Sequence, residues 1–438
     1  MQSLRLGVFL AFLATAAPVA AQARTDKLAL LFQEVFGPTG LAVNSEAVLP
    51  DGSTHSAHFN SGFQSNFGQI NVAIASQLTS LPLPSPAAGF TYTFDTATGT
   101  FVRSTQSYGP ILTDRAETIG RGRFSFGYNV QFFSFDTLEG LSLSSIPAVF
   151  THDDFQLGGG LADVVTTVNS IEASVGQMTG VLTYGVTERL DVSVAVPLVY
   201  TRLSVRSDAV VQRVGTSEDP AIHFFRDADA MGTYGSHRQF SAQGSATGLG
   251  DVIVRVKGTA FREGGRGVAL GVDVRVPSGD ERDLLGSGAV GVKPFAAFST
   301  TWGRLAPHVN LGYQWNGRSV LAGNVKAATA AKLPDHLLFS AGADIGVSDR
   351  FSLAVDVLGQ RVIDSPRLAP TSFTPQGSSL TFADVTYQNS TFSMAAGSVG
   401  FKVKIAQRVL ANFNLRFRLT DAGLVDRASP LLGLEYGF

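Results

Sequence analysis

The 438-residue chain contains no cysteine, only two tryptophans and four methionines, and only 16% charged residues. The missing cysteines exclude disulfide staples and metal–thiolate sites together. Charge is scarce beside the roughly 25% of an ordinary soluble protein. The charge is also balanced: Arg5 is the one charged residue of the first 23, which leaves 32 basic against 35 acidic groups. No basic stripe dominates, so a nucleic-acid partner is not expected. Beyond the first 23 residues there is also no run of ~18 apolar residues, the length a membrane-crossing helix requires.

What the chain does have is glycine (47), phenylalanine (32) and 44% hydrophobic residues. Residues 1–23 read as a secretory signal, with Arg5, the apolar run Leu6–Ala17 and Ala21-Gln22-Ala23 as a cleavage site. An exported, apolar chain without a membrane helix has two reasonable homes. One is a soluble periplasmic or extracellular β-protein, the other an outer-membrane barrel.

Strand patterning favours the barrel. Segments of period-two alternation fall at 121–135, 163–186, 189–212, 247–262, 266–280, 288–302, 304–318, 335–347, 351–364, 391–406, 409–420 and 429–438. In 304–318, Leu305, Pro307, Val309, Leu311, Tyr313 and Trp315 share one face, opposite His308, Asn310, Gly312, Gln314 and Asn316. The links alternate strictly. Short turns lie at Thr187-Glu188, Glu263–Gly265, Gly303, Ser348–Arg350 and around Gln407, and long connections near 136–162, 213–246, 279–288, 319–334, 365–390 and 421–428. Periplasmic turns and extracellular loops sort in this way in membrane barrels, whereas a soluble sandwich has no reason to segregate loop length by end. The expectation is an all-β, transmembrane antiparallel β-barrel of about twelve strands over 121–438.

Residues 24–120 lack that rhythm and are expected to form a lumenal plug or periplasmic extension. Leu28–Phe36 has helix-like spacing, the proline-rich Leu81–Pro86 breaks any strand, and Phe90–Phe94 with Thr100–Arg103 reads as a short hairpin. A fourteen-strand barrel that recruits Gln69–Leu78 and 89–106 is the alternative.

Mid-strand charge belongs inside, because Arg or Lys at the bilayer midplane costs roughly 2–4 kcal/mol. The expected lumen-lining residues are Arg123, Asn129, Arg255, Lys257, Asp273, Arg275, His308, Asn310, Gln314, Asp356, Lys402, Asn412, Asn414, Arg416, Arg418 and Glu435. Cross-strand ion pairs are the plain account of these charges. The functional account is a modest basic excess that favours anionic or polarisable aromatic solutes. Tyr313, Trp315, Tyr436 and Phe438 are the expected lipid-interface aromatics.

Thr247-Gly-Leu-Gly-Asp251, Val276-Pro-Ser-Gly-Asp280, Leu285-Gly-Ser-Gly288 and Val309-Asn-Leu-Gly-Tyr313 form a recognisable series. With them, residues 120–438 resemble the outer-membrane β-barrel transporters of the "MetA-pathway of phenol degradation" family. The resemblance implies an outer-membrane channel for passive uptake or efflux of small, hydrophobic or aromatic solutes. Separately, the last strand, Pro430–Phe438, resembles the closing strand of bacterial outer-membrane barrels, which implies that it is read by the barrel-assembly machinery. A closed structural or adhesive barrel that binds a partner through its long loops is the alternative.

Enzymatic chemistry finds little support. Gly248-Leu-Gly250 has no following helix and no Walker lysine, so it reads as turn chemistry. His308 shares its face with Asn310 but with no serine, and His152-Asp153-Asp154 reads as a solvated loop. No catalytic residue, cofactor or metal is expected. The partners expected are membrane lipid and a small solute, with a monomer as the default.

Overall fold

The computed structural model describes residues 27–437 apart from 38–39, 49–51, 53–57, 61–67, 81–91, 96–99, 104–106, 152–162, 215–218, 227–233 and 376–377. Twelve antiparallel strands close into a barrel. They are β1 (Phe124–Phe135), β2 (Val164–Thr187), β3 (Leu190–Gln212), β4 (Val252–Glu263), β5 (Arg266–Val276) and β6 (Gly291–Thr300). The ring continues as β7 (Leu305–Asn316), β8 (Asp335–Ser348), β9 (Phe351–Phe373), β10 (Phe382–Ala406), β11 (Val409–Arg418) and β12 (Ala428–Gly437). Each pairs with its chain neighbour, and β12 returns to β1 from Leu431↔Gln131 to Gly437↔Ser125. The fourteen-strand alternative is corrected: Gly68–Ser80, which includes Gln69–Leu78, is an α-helix, α1.

Tight turns at Glu188-Arg189, Gly264-Gly265, Asp349-Arg350 and Gln407-Arg408 gather at one end of the ring, here the turn end. The long connections gather at the other, the loop end. Several of these are not loops. β9 and β10 run on as a paired hairpin to Phe373↔Phe382, so most of 365–390 is strand. Pro366 and Pro370, which lack an N–H, gave that stretch the look of a loop. In the same way, His237–Leu249 pairs with β3 above the point where β4 begins.

The reason these strands outrun a membrane lies in which face is apolar. Along lower β3 the exposed side chains are Val194, Val196 and Leu198, while Asp191 and Ser193 are buried. Past Tyr200 the pattern inverts: Arg202, Arg206 and Asp208 are exposed, and Leu203, Val205, Ala209 and Val211 are buried. The lower part therefore has an apolar coat and a polar interior, and the upper part a polar coat around an apolar core. That core joins Leu203 and Val205 to Leu31, Phe32, Phe59, Ile70 and Ile74 of the N-terminal segment.

The apolar coat continues round the ring through Leu270, Leu311, Val355 and Leu432, each more than half exposed. So large a contiguous apolar surface belongs against lipid. Leu311→Arg, placed mid-strand on this coat, is expected to cost about 2–4 kcal/mol and to cut the yield of SDS-resistant folded protein. An unchanged yield would argue against lipid contact on that face.

Within the N-terminal segment, Leu28–Glu34 forms a short helical turn, and Tyr92–Asp95 pairs with Thr100–Arg103 as the sequence suggests. The signal region, Leu81–Pro86, His152–Asp154 and Phe438 lie outside the described residues.

Candidate functional site: the barrel lumen

Residues 107–120, a strap leading into β1, run across the lower lumen. Having no strand partner, the strap takes its hydrogen bonds from wall side chains, strand after strand. Its path begins at β9, where Tyr108 N donates to Ser352 Oγ (2.9 Å) and Tyr108 Oη to the Asp349 carbonyl (2.6 Å). Next, Thr113 Oγ1 lies 2.8 Å from His308 Nε2 and donates to Asp356 at 3.1 Å. Asn310 clamps Asp114 twice, accepting from its N–H (2.7 Å) and donating to its carbonyl (2.8 Å). Ala116 N donates to Ser299 Oγ (3.0 Å), and Thr259 Oγ1 donates to the Ala116 carbonyl (2.5 Å). The path ends at β3, where Ile119 N donates to Asp191 (3.0 Å).

Charge fixes the same path. Arg115, buried, pairs with the fully buried Asp344, its Nε donating at 3.1 Å, and its Nη2 reaches Ser107 Oγ at 2.6 Å. Arg255 donates to Asp114 of the strap (2.9 Å) and to Asp273 on β5 (2.6 Å), and Lys293 on β6 takes the other oxygen of Asp273 at 2.8 Å. Lys257 Nζ donates to the Arg115 carbonyl (3.2 Å). Glu435 pairs with Lys402 (2.7 Å) and accepts from Asn412 (3.2 Å).

The remaining sequence-derived lumen residues are placed as follows. Gln314 and Arg275 donate to the Thr79 carbonyl of α1, at 3.2 and 3.4 Å, and so tie the helix to β7 and β5. Asn414 Nδ2 donates to Ser398 Oγ at 2.8 Å. Arg123 sits at the rim below β1, half-buried. Arg416 and Arg418 stand higher on β11, and Asn129 is buried on β1. Of the expected interface aromatics, Tyr313 and Trp315 lie with ring centroids 4.8 Å apart, tilted by 57°, near the loop end, and Tyr436 is exposed at the turn end.

His308 resembles part of a catalytic triad, yet one nitrogen, Nε2, meets both Thr113 and Asp356 (2.6 Å), while Asp344 stands 3.6 Å from Nδ1, beyond hydrogen-bond distance. A working triad divides nucleophile and carboxylate between the two ring nitrogens. The group is a strap anchor. Sequence reasoning missed Thr113, Asp114 and Arg115 because the strap has no periodicity. The available signal was an adjacent Asp-Arg pair just ahead of the first strand.

The glycine motifs converge at the loop end of β4–β6. Asp251 accepts from Gly279 N (3.2 Å), Ser287 N (2.8 Å) and Ser287 Oγ (2.6 Å), while Ser278 Oγ donates to the Gly250 carbonyl (2.7 Å). Gly279 and Gly286 pack backbone to backbone, so a Cβ on Gly279 would stand 2.8 Å from the Gly286 Cα. Three motifs separated in sequence form one structural knot. Just beyond it, Lys27 Nζ donates to Asp280 (2.8 Å) and Asp283 (2.7 Å), which hold its ammonium above the ordinary lysine range.

Residues 152–363 match the family model described as "MetA-pathway of phenol degradation". The knot lies within that stretch, where the resemblance read from the motifs is borne out. No curated protein matches the chain. Among solved structures, the COG4313 outer membrane channel from Pseudomonas putida F1 aligns at 14% identity and a TM-score of 0.47, over 74% of this chain and 99% of its own. A Pseudomonas aeruginosa FadL homologue aligns at 10% identity and TM-score 0.30, covering 72% and 88%. The Pseudomonas putida toluene transporter TodX aligns at 10% and 0.26, covering 82% and 98%. The assignment of the family-matched chain to the barrel class rests on its own strand pairing.

Proposed function

We propose that the chain is an outer-membrane channel through which small solutes pass by diffusion, with the strap and α1 narrowing the path. The observation that carries this reading is a polar inner wall inside an apolar coat, not fully used by the protein itself. Asn129 Oδ1, Gln131 Nε2, Asn412 Oδ1 and Asn414 Oδ1 are buried and have no hydrogen-bond partner among the described residues. They lie on β1 and β11, away from the strands that bind the strap. Buried polar groups of this kind are satisfied by single ordered waters, and such waters are expected along this polar side of the wall. In this orientation the turn end faces the periplasm and the loop end the exterior. Membrane lipid and the machinery that inserts the last strand are the proposed partners, and the monomer is the proposed unit.

The mature protein in liposomes is expected to pass a small neutral sugar, with weak anion preference in bilayer reversal potentials. Liposomes that stay sealed to every solute would favour the alternative, a closed barrel acting through its loop end. The observation behind that alternative is the apolar core which fills the upper interior.

A further inference from the structure

Between the strap and α1 lies a cavity of about 150 Å³, floored by Leu112 and Asp114 and roofed by Gln77 and Thr79. Its apolar wall comes from four strands: Phe295, Leu338, Leu358 and Met394. Phe295 lies over Gly271, where a Cβ would stand 2.4 Å from the ring, so the missing side chain makes the aromatic surface possible.

Four cations face the same space: Arg255, Lys293, Arg416 and Arg418. Arg255 and Lys293 are neutralised by Asp114 and Asp273, as described above. Arg418 pairs with Asp421 at 3.1 Å and donates to Thr137 Oγ1 at 3.1 Å. Arg416 differs from the other three. Among the described residues its guanidinium makes no hydrogen bond and no ion pair, and lies 5.7 Å from the Phe133 ring centroid. The nearest acidic influence is Asp426, whose carboxylate accepts from Ser429 Oγ instead. Burial pushes Asp426 above the ordinary carboxylate range, against the opposing pull of Arg416 and Ser429.

A guanidinium carries five donors in a planar fork that matches a carboxylate. Partly exposed to the cavity and without an acceptor among the described residues, the fork is open to a ligand. An apolar cavity of about 150 Å³ accommodates benzene. Inorganic anions would satisfy the fork but leave the apolar wall uncovered. We propose that Arg416 and this wall form a binding site on the channel path for a compact monocarboxylate with an apolar body, of about the size of benzoate. The proposal rests on the channel reading for its route of access and names a solute class for it.

The test uses the full mature chain in detergent, with benzoate, benzyl alcohol and benzylammonium as probes in calorimetric titration. Benzoate is expected to bind saturably at one site, with the neutral and cationic analogues at least tenfold weaker. Arg416→Met should weaken benzoate at least tenfold. Ala396→Phe, which keeps the charge but fills the cavity from β10, should abolish binding. Equal binding of benzyl alcohol to the unsubstituted protein would overturn the site without requiring any variant to fold. Benzoate binding unchanged in both variants would overturn it as well. The two readings fail separately: benzoate binding without neutral-sugar flux sinks the channel and leaves the site, while flux without benzoate binding does the reverse.

Discussion

Replacing Arg115 with methionine is expected to loosen the strap and raise single-channel conductance several-fold, while the barrel wall still forms. The substitution removes the partner of a carboxylate, Asp344, that is 0% exposed. Leaving one member of a buried ion pair unmatched costs about 3–5 kcal/mol. His308 Nδ1, 3.6 Å from Asp344, offers partial compensation only. The strap also loses the bond from Arg115 to Ser107, whereas the strand ladders that close the ring involve neither residue's side chain. The expected signature is therefore a loss of order inside an intact wall: greater conductance and protease access at 107–120, with the SDS-resistant barrel retained. Unchanged conductance together with an unchanged melting profile would mean that the wall's bonds to the strap backbone suffice to hold it.

The second large effect is expected at Lys402, which is 1% exposed and pairs with Glu435 across β11. β12 carries Glu435 and also forms the closing seam with β1. Lys402→Met leaves that carboxylate with Asn412 alone and should destabilise the barrel by about 3–5 kcal/mol, read as a lower urea midpoint in micelles. The double variant Lys402→Met/Glu435→Leu removes both charges, and apolar replacement of a whole buried pair is often close to neutral. It should recover most of the loss. A double variant as unstable as the single one would show that the cost lies in packing at the seam rather than in the unmatched charge.

The wall of this protein was legible in the sequence and its contents were not. In 304–318 alternate side chains meet different surroundings, and the alternation of His308 and Asn310 with Val309 and Leu311 declares the pleat directly. Parity of the links then ordered the strands into a ring. The upper half of β9 was harder to read, because Pro366 and Pro370 lie within it, whereas β3 was read at full length as 189–212 although its apolar face changes sides at Tyr200. The strap was illegible for a different reason. Its conformation is imposed residue by residue from six strands distant in sequence, and no local periodicity records such contacts. Arg416 was visible as an inward charge, but its lack of an acceptor emerges only once every neighbouring carboxylate has been assigned to another donor.

Residues 107–120 lie inside the ring and run on into β1, while the seam between β1 and β12 joins the two ends of the strand series. A chain segment enclosed by a ring made from the same chain must either be in place when the last seam zips or be threaded through afterwards. Side chains on β3, β4 and β6–β9 already present its hydrogen-bond partners before β12 arrives. A partly formed, curved sheet can thus collect the strap on its concave side, and sealing of the seam then makes it topologically captive.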